Sequence, residues 1–444
     1  MKRLTGKSEA AAHFRRLRQS GGLLHEKVAP TSSGRALYPG RLSPIEVARL
    51  VIAEVRKDGD RALLRISGVL DGTPLKLIEV PPGQLKRGAS LLPSAARASL
   101  KFAADRVREF QQSAMPRSWQ HPSGQFGETV TPLERVGAYV PAGTAPLAST
   151  VLMTAVPAKV AGVGEVVLCT PAPGDSLPHP AVLAAAAIAG VDRVFKVGGA
   201  QAIAAMAYGT ETVPRVDLVC GPGNAYVTAA KKLVFGDVGI DGLYGPTETL
   251  VIADGHADPE LCAADLLAQA EHDVMAMPVL VATSSDVADA VEAALELQLR
   301  ALSRRAIAGE SVKSNGVTIV VGSVEEGIEV ANEIAPEHLC LAVADAARYL
   351  PLVRSAGGVF IGELSAEVMA DYVAGPSHVM PTGGTARFAS ALSARNFVRV
   401  TPFLHLDQKS FLDLAPHASQ LAKLEGLGGH AEAADLRLKR IVGE

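Results

Sequence analysis

Gln269 and His272 stand three residues apart at the end of a helix that the sequence marks clearly. Asp258 suits its N-cap, Pro259 its first position, Glu260 its first turn, and Leu261, Leu266 and Leu267 an apolar stripe. That spacing would set an amide oxygen and an imidazole on one helix face, able to hold a zinc ion among its usual four ligands. Two satisfied polar side chains are the plainer reading of such a pair. Glu337 and His338, in Ala335-Pro-Glu-His338, read as the start of another helix, with proline in the first turn and the glutamate complementing the dipole. A helix start shifts proton affinities, and such a pair could serve as base and proton carrier. An ordinary solvated helix start is the alternative. Gly221-Pro-Gly-Asn224 and Val197-Gly-Gly-Ala-Gln201 each lead from a strand into a helix, where amides and the helix's positive end meet an anion such as a dinucleotide phosphate. Neither is the full GxGxxG fingerprint, and any tight turn of this kind needs glycine. Asp371-Tyr372, His378 and Pro381-Thr-Gly-Gly-Thr385 form a polar, glycine-rich segment of the kind that lines sites, and Glu425 and His430 add an acid and a histidine near the end.

The elements that must position these residues follow a strand–helix rhythm. Short apolar runs at Val166-Val167-Leu168, Val194 to Val197, Leu218-Val219-Cys220, Leu250-Val251-Ile252, Val279-Leu280-Val281, Ile319-Val320-Val321 and Val359-Phe360-Ile361 read as strands. Alanine-rich helices lie between them, at Ala181 to Ala189, Ala202 to Tyr208 and Ala225 to Val234. This is the pattern of an α/β fold with a parallel sheet. Amphipathic helices are expected at Ile45 to Arg65 and Ala95 to Gln112. Beyond Ala394 the character changes, with Phe397, Phe403, Leu404 and Phe411 in polar surroundings and a helix from about His417.

A chain of 444 residues has room for two or more domains. Its net charge of −3, from 43 basic and 46 acidic residues, offers no excess positive field to nucleic acid or acidic lipid, so a small-molecule ligand is expected. The apolar tract from Leu147 to Leu168 is broken by Pro157 and Lys159, which argues against a membrane span, and the N-terminus carries no secretory pattern. Cys169, Cys220, Cys262 and Cys340 are widely separated and form no CxxC pair, as suits reduced thiols in a cytoplasmic enzyme.

Taken together, the motifs resemble histidinol dehydrogenase. The matching segments are Val136-Gly-Ala-Tyr139-Val-Pro-Ala-Gly143, Val197-Gly-Gly-Ala-Gln201-Ala, Gly221-Pro-Gly-Asn224-Ala-Tyr-Val-Thr228, Gly245-Pro-Thr-Glu248, Gln269-Ala-Glu-His272, Ala335-Pro-Glu-His338, Asp371-Tyr372 with Gly375-Pro-Ser-His378-Val-Met-Pro-Thr382, and Glu425 with His430. They occur in the family's order from about Leu42 to Arg437. The resemblance implies a zinc enzyme that oxidises L-histidinol to L-histidine in two steps, with two NAD used in turn and the aldehyde retained. It implies zinc ligands at Gln269, His272, Asp371 and His430, and water activation and proton relay by Glu337 and His338. NAD contacts are implied at Tyr139, Gln201 and Asn224. Substrate contacts are implied at Thr247 and Glu425, and also at Gln269, His272, His338, Asp371 and His430. The implied fold is two incomplete Rossmann-like domains, one inserted in the other: residues 30–138 with 249–392, and the NAD-binding insert 139–248. Small terminal segments, 1–29 and 393–444, would cross a homodimer whose sites are shared between subunits.

Departures from the family cluster near the substrate. Thr247 stands where serine is usual, Ala142 where glycine is, Ser365-Ala366 where threonine and proline precede Glu367, and Ala370 where glycine precedes Asp371. A methyl-sized change in a pocket carries ~1 to 3 kcal/mol of discrimination, so a paralogue oxidising another small amino alcohol or polar diol is the second enzyme reading. A zinc hydrolase would use the metal set and Glu337 but leave the glycine turns without a ligand. A non-catalytic interaction protein would leave the polar set without chemistry.

Overall fold

The computed structural model describes residues 1–19, 24–25, 36–142, 145–172, 174 and 176–443. Gly143 and the expected domain boundary at 29/30 lie outside the described residues. A six-stranded sheet runs in the order Lys2–Thr5, Val317–Val320, Met277–Ala282, Glu248–Ala253, His338–Ala342, Gly358–Ile361, every pair parallel. Its inner strands are near-continuous apolar runs because both faces are buried. Alternation along the strands divides them between two cores. Leu250, Ile252, Val279, Val281, Leu339 and Leu341 face Ala10, Phe14 and the helix Val324–Ile334. Val251, Leu280, Cys340 and Ala342 face the helices Pro259–Ala270, Ser285–Ala301 and Arg305–Asn315.

The second sheet has five parallel strands, in the order Arg193–Phe195, Glu165–Cys169, Arg135–Tyr139, Leu218–Cys220, Gly239–Ile240. The chain runs outward from the middle strand to one edge and then returns to build the other. The topological switch point therefore lies between Arg135–Tyr139 and Leu218–Cys220, where ligands bind in open sheets of this kind. Helices Gly199–Tyr208 and Ala225–Val234 cover one face, together with Pro44–Asp58 and Asp60–Leu70, in one core around Val167, Phe195 and Val219. Ala148–Val160 packs on the strands Arg135–Tyr139 and Glu165–Cys169, with Pro180–Ala189 against it.

Several expectations are corrected here. The helix expected from Ile45 to Arg65 is two helices, parted at Gly59, whose φ of +53° ends the first while its N–H bonds to the Val55 carbonyl. Both pack on the layer of helices, Gly199–Tyr208 and Ala225–Val234, that covers the five-stranded sheet, so this part of residues 30–138 shares its core with the expected insert rather than with residues 249–392. Lys2–Thr5, read as part of a separate terminal segment, is an edge strand of the larger sheet. The helix start expected at Pro336 is the start of the strand His338–Ala342: the preceding helix ends at Ile334, Ala335 turns left-handed at φ +49°, and proline follows that stop.

Residues 1–115 and 133–397 form one compact unit that holds both sheets; residues 116–132 and 398–444 form another. The second unit pairs the strands Val398–Leu404, Phe126–Pro132 and Trp119–Gln120 in an antiparallel sheet. It continues into two helices, Gln408–Leu424 and Gly428–Val442, that pack on one another. The first begins at Gln408, capped by Asp407, and not near His417, because Pro416 sits inside it instead of opening it.

Candidate active site

In the six-stranded sheet the polar residues gather at the amino ends of two neighbouring strands, Glu248–Ala253 and His338–Ala342. Register pairs His338 with Thr249, so Glu337 and His338 lie beside Thr247 and Glu248 across the switch between the sheet's two halves. Glu337 Oε2 accepts from the Thr247 hydroxyl at 2.6 Å and the Glu248 amide at 3.0 Å. The Thr247 hydroxyl also lies 2.8 Å from Gln269 Oε1. It has one proton for two acceptors, the Glu337 carboxylate and the Gln269 amide oxygen. Burial raises the Glu337 carboxyl well above the usual carboxylate range, and the two hydrogen bonds oppose it only in part.

His338 is 2% exposed and stacks on Phe360 with ring centroids 5.7 Å apart. Its Nδ1 lies 3.2 Å from the Glu248 carbonyl, which can only accept, so the proton sits on Nδ1. Nε2 is left as the basic nitrogen, buried and without a hydrogen-bond partner among the described residues. Burial lowers this imidazole to about 3, keeping it neutral. Nδ1 is 3.6 Å from Glu337 Oε2 and 3.9 Å from Glu367 Oε1. Glu367 was not foreseen as a site residue. It is fully buried, accepts from Thr249 Oγ1 at 2.6 Å, and is raised by burial first and by the charge of Asp371 second. Proton affinity at this pair is thus set by desolvation and not by a helix end.

Gln269 is 2% exposed on the helix Pro259–Ala270, and His272 lies beyond that helix, in a turn closed by His272 N–H to the Gln269 carbonyl at 3.0 Å. The i, i+3 spacing is real, but Leu261 is exposed and His272 is accessible, so the single helical face expected from the pattern does not form. His272 and Asp371 perturb each other. Crowding by protein lowers the accessible imidazole while the Asp371 charge opposes, and burial lifts Asp371 to about 6 against His272. His378 has both ring nitrogens engaged, Nδ1 with the Asp371 carbonyl at 2.8 Å and Nε2 with Thr150 Oγ1 at 3.2 Å. Among the described residues no three His, Cys, Asp or Glu side chains are grouped so as to hold a metal. A neutral imidazole and a carboxylate short of positive charge are nonetheless donors that suit zinc, and the buried amide oxygen of Gln269 is an uncommon one beside them. They fit a set completed by one more ligand. Glu425 and His430 are exposed in the second unit, Glu425 following the helix Gln408–Leu424 and His430 in the first turn of Gly428–Val442.

At the switch point of the five-stranded sheet, Tyr139 links the two glycine turns. Its hydroxyl accepts from the Gly199 amide at 3.1 Å, and its carbonyl lies where a Cβ on Gly221, at φ +110°, would collide. Gln201 is buried in the first turn of Gly199–Tyr208; Asn224 is exposed and caps Ala225–Val234 by accepting from the Tyr226 and Val227 amides at 3.1 and 3.2 Å. Gly245, in the segment that leads from one sheet to the other, donates its amide to Thr382 Oγ1 at 2.6 Å.

The family model described as histidinol dehydrogenase matches residues 43–438. The chain is 49% identical to histidinol dehydrogenase of Thermus thermophilus over 394 residues, which covers 88% of this chain and 94% of that one. It is 44% identical to that of Dehalococcoides mccartyi over 441 residues, covering 99% and 100%. The crystal structure of histidinol dehydrogenase from Elizabethkingia anophelis superposes with a TM-score of 0.89 at 32% identity, over 99% of this chain and 98% of that one. The chain belongs to the histidinol dehydrogenase family. It is therefore an oxidoreductase, and its α/β fold of parallel, Rossmann-like sheets is that of histidinol dehydrogenase. Open parallel sheets bind ligands at the carboxyl ends of their strands. In the five-stranded sheet Tyr139 and Gly221 stand at those ends, whereas the six-stranded sheet carries its polar cluster at the amino ends. The cysteines stand apart from this chemistry: all four are free and buried, and burial raises the Cys220 thiol well above its ordinary range.

Proposed function

We propose that the protein oxidises L-histidinol to L-histidine in two NAD-dependent steps, with zinc in the site and the aldehyde retained between them. The observation that carries this reading is His338 Nε2, a buried, unpartnered base beside a buried Glu337 whose carboxyl is anchored by Thr247 and Glu248. Bound NAD would take a hydride in each step, and bound zinc would orient the substrate's imidazole and amine. Gln269, His272 and Asp371 would hold the metal with His430 from a second copy of the chain, and Glu425 would meet the substrate from the same copy.

His338 takes the alcohol proton at Nε2 in the first step. A weak, neutral base passes its proton on readily, here to solvent, so Nε2 is free again for the second step. In the second step Glu337 as carboxylate removes a proton from the water that adds to the aldehyde, and His338 Nε2 takes the hydroxyl proton of the resulting hydrate. Tyr139, Gln201 and Asn224 line the dinucleotide side, on the five-stranded sheet. Four free thiols support a cytoplasmic setting, and no helix among the described residues is long and apolar enough to cross a membrane. Thr247, whose hydroxyl keeps its bond to Glu337 while adding a methyl, favours the second reading, a paralogue for another amino alcohol. NADH formation from purified protein tests both. Turnover of L-histidinol that is abolished by chelation and restored by zinc is expected; full activity after verified metal loss, or preference for another amino alcohol, would overturn the reading.

A further inference from the structure

Lys231 is 1% exposed, in the helix that the Gly221-Pro-Gly-Asn224 turn feeds, and no step above uses it. Its Nζ donates to the Gly221 carbonyl at 3.0 Å and pairs closely with Asp241 Oδ1, while the Tyr244 ring lies 4.6 Å from the cation. The other oxygen of Asp241 accepts from the Gly221 amide at 2.7 Å. Both backbone polar groups of one glycine are thus held by one buried ion pair. Stability alone does not account for this arrangement, since a buried pair replaced by apolar groups of similar size is often as stable or more so. Apolar groups would, however, leave the Gly221 peptide unheld. Gly221 sits at φ +110°, outside the range of other residues, against the carbonyl of Tyr139, and the Tyr139 hydroxyl takes the Gly199 amide. Fixing Gly221 therefore fixes one turn against the tyrosine that registers the other.

We propose that Lys231 and Asp241 are positioning residues that clamp Gly221 and so set both glycine turns for the dinucleotide. This rests on the NAD reading above. The pair reaches the cofactor through the backbone, and its loss acts on NAD binding, leaving the substrate side at the other sheet unchanged.

The test measures dissociation constants for NAD and for L-histidinol, separately, on the zinc-loaded full chain. Lys231→Met with Asp241→Leu removes both charges together, so the melting temperature should stay near wild type. NAD should weaken by about tenfold to a hundredfold, the effect of losing charge-assisted hydrogen bonds, with histidinol binding unchanged. A stable double variant that binds NAD as wild type does would overturn the clamp. Should the double variant fail to fold, Asp241→Asn keeps the volume and an oxygen for the Gly221 amide. Selective weakening of NAD supports the clamp there, and equal weakening of both ligands in step with melting temperature overturns it. Wild-type protein that binds no NAD would overturn the nucleotide reading, and the clamp with it, a failure distinguished by appearing before any substitution is made.

Discussion

Glu337 carries two consequences of one cause, its burial. As a base it must be ionised, so oxidation of supplied aldehyde should rise with pH through a value above the ordinary glutamate range. Glu337→Gln keeps the size and removes the base; the aldehyde step should fall by ~100 to 10,000-fold, far more than the alcohol step, and equal losses in separated half-reactions would count against water activation. Stability moves the other way. The folded pKa lies above that of the unfolded chain, so as pH rises from the ordinary carboxylate range the unfolded state releases a proton that the native state keeps. Stability is then lost across the window up to the folded pKa. Glu337→Gln should therefore melt higher than wild type in metal-free protein, by a margin that grows from about pH 4 upward; a margin independent of pH would show that the carboxyl is not raised. Cys220 is the contrasting case, a thiol made inert by burial. Cys220→Ser should keep both oxidation steps, and loss of the aldehyde step alone would point to a thiol-bound route.

At the scale of elements, what could be read from the sequence is what local chemistry decides. Asp258, accepting from the Glu260 and Leu261 amides, caps the helix Pro259–Ala270 as its position in front of proline suggests, and Asn224 caps Ala225–Val234. Asp258→Ala should cost about 1 kcal/mol of stability, measured by denaturant midpoint, with little effect on turnover. A larger loss of activity than of stability would mean the cap also aims Gln269. The seven apolar runs each overlap a strand, as short β-rich runs between turn signals suggest. Pro336 misled because a proline after a left-handed helix stop and a proline opening a helix look alike over four residues. Only pairing with Glu248–Ala253 and Gly358–Ile361 decides for a strand. Which sheet the helices Pro44–Asp58 and Asp60–Leu70 cover was not legible either, since an apolar stripe states that a face is buried and not against what. The Lys231–Asp241 pair was hidden for a similar reason: a lysine in an exposed helix and one folded over a glycine carbonyl have the same neighbours in sequence.

At the scale of the whole molecule, the test concerns His430, the proposed fourth ligand. The first unit holds Gln269, His272 and Asp371 with Glu337, while His430 belongs to the second. If each site draws His430 from a second copy of the chain, two defective subunits can complement. Consider Glu337→Gln co-expressed with His430→Ala, each nearly inactive as a homodimer. In a mixed dimer one site collects both lesions and the other collects none, pairing an intact Glu337 from one subunit with an intact His430 from the other. Random pairing at equal expression makes about half the dimers mixed, each with one working site, so activity should return to roughly a quarter of wild type. If His430 serves its own subunit, every site keeps one lesion. Activity no higher than that of the separate variants, in a preparation shown to contain mixed dimers, would then place the whole site within a single chain.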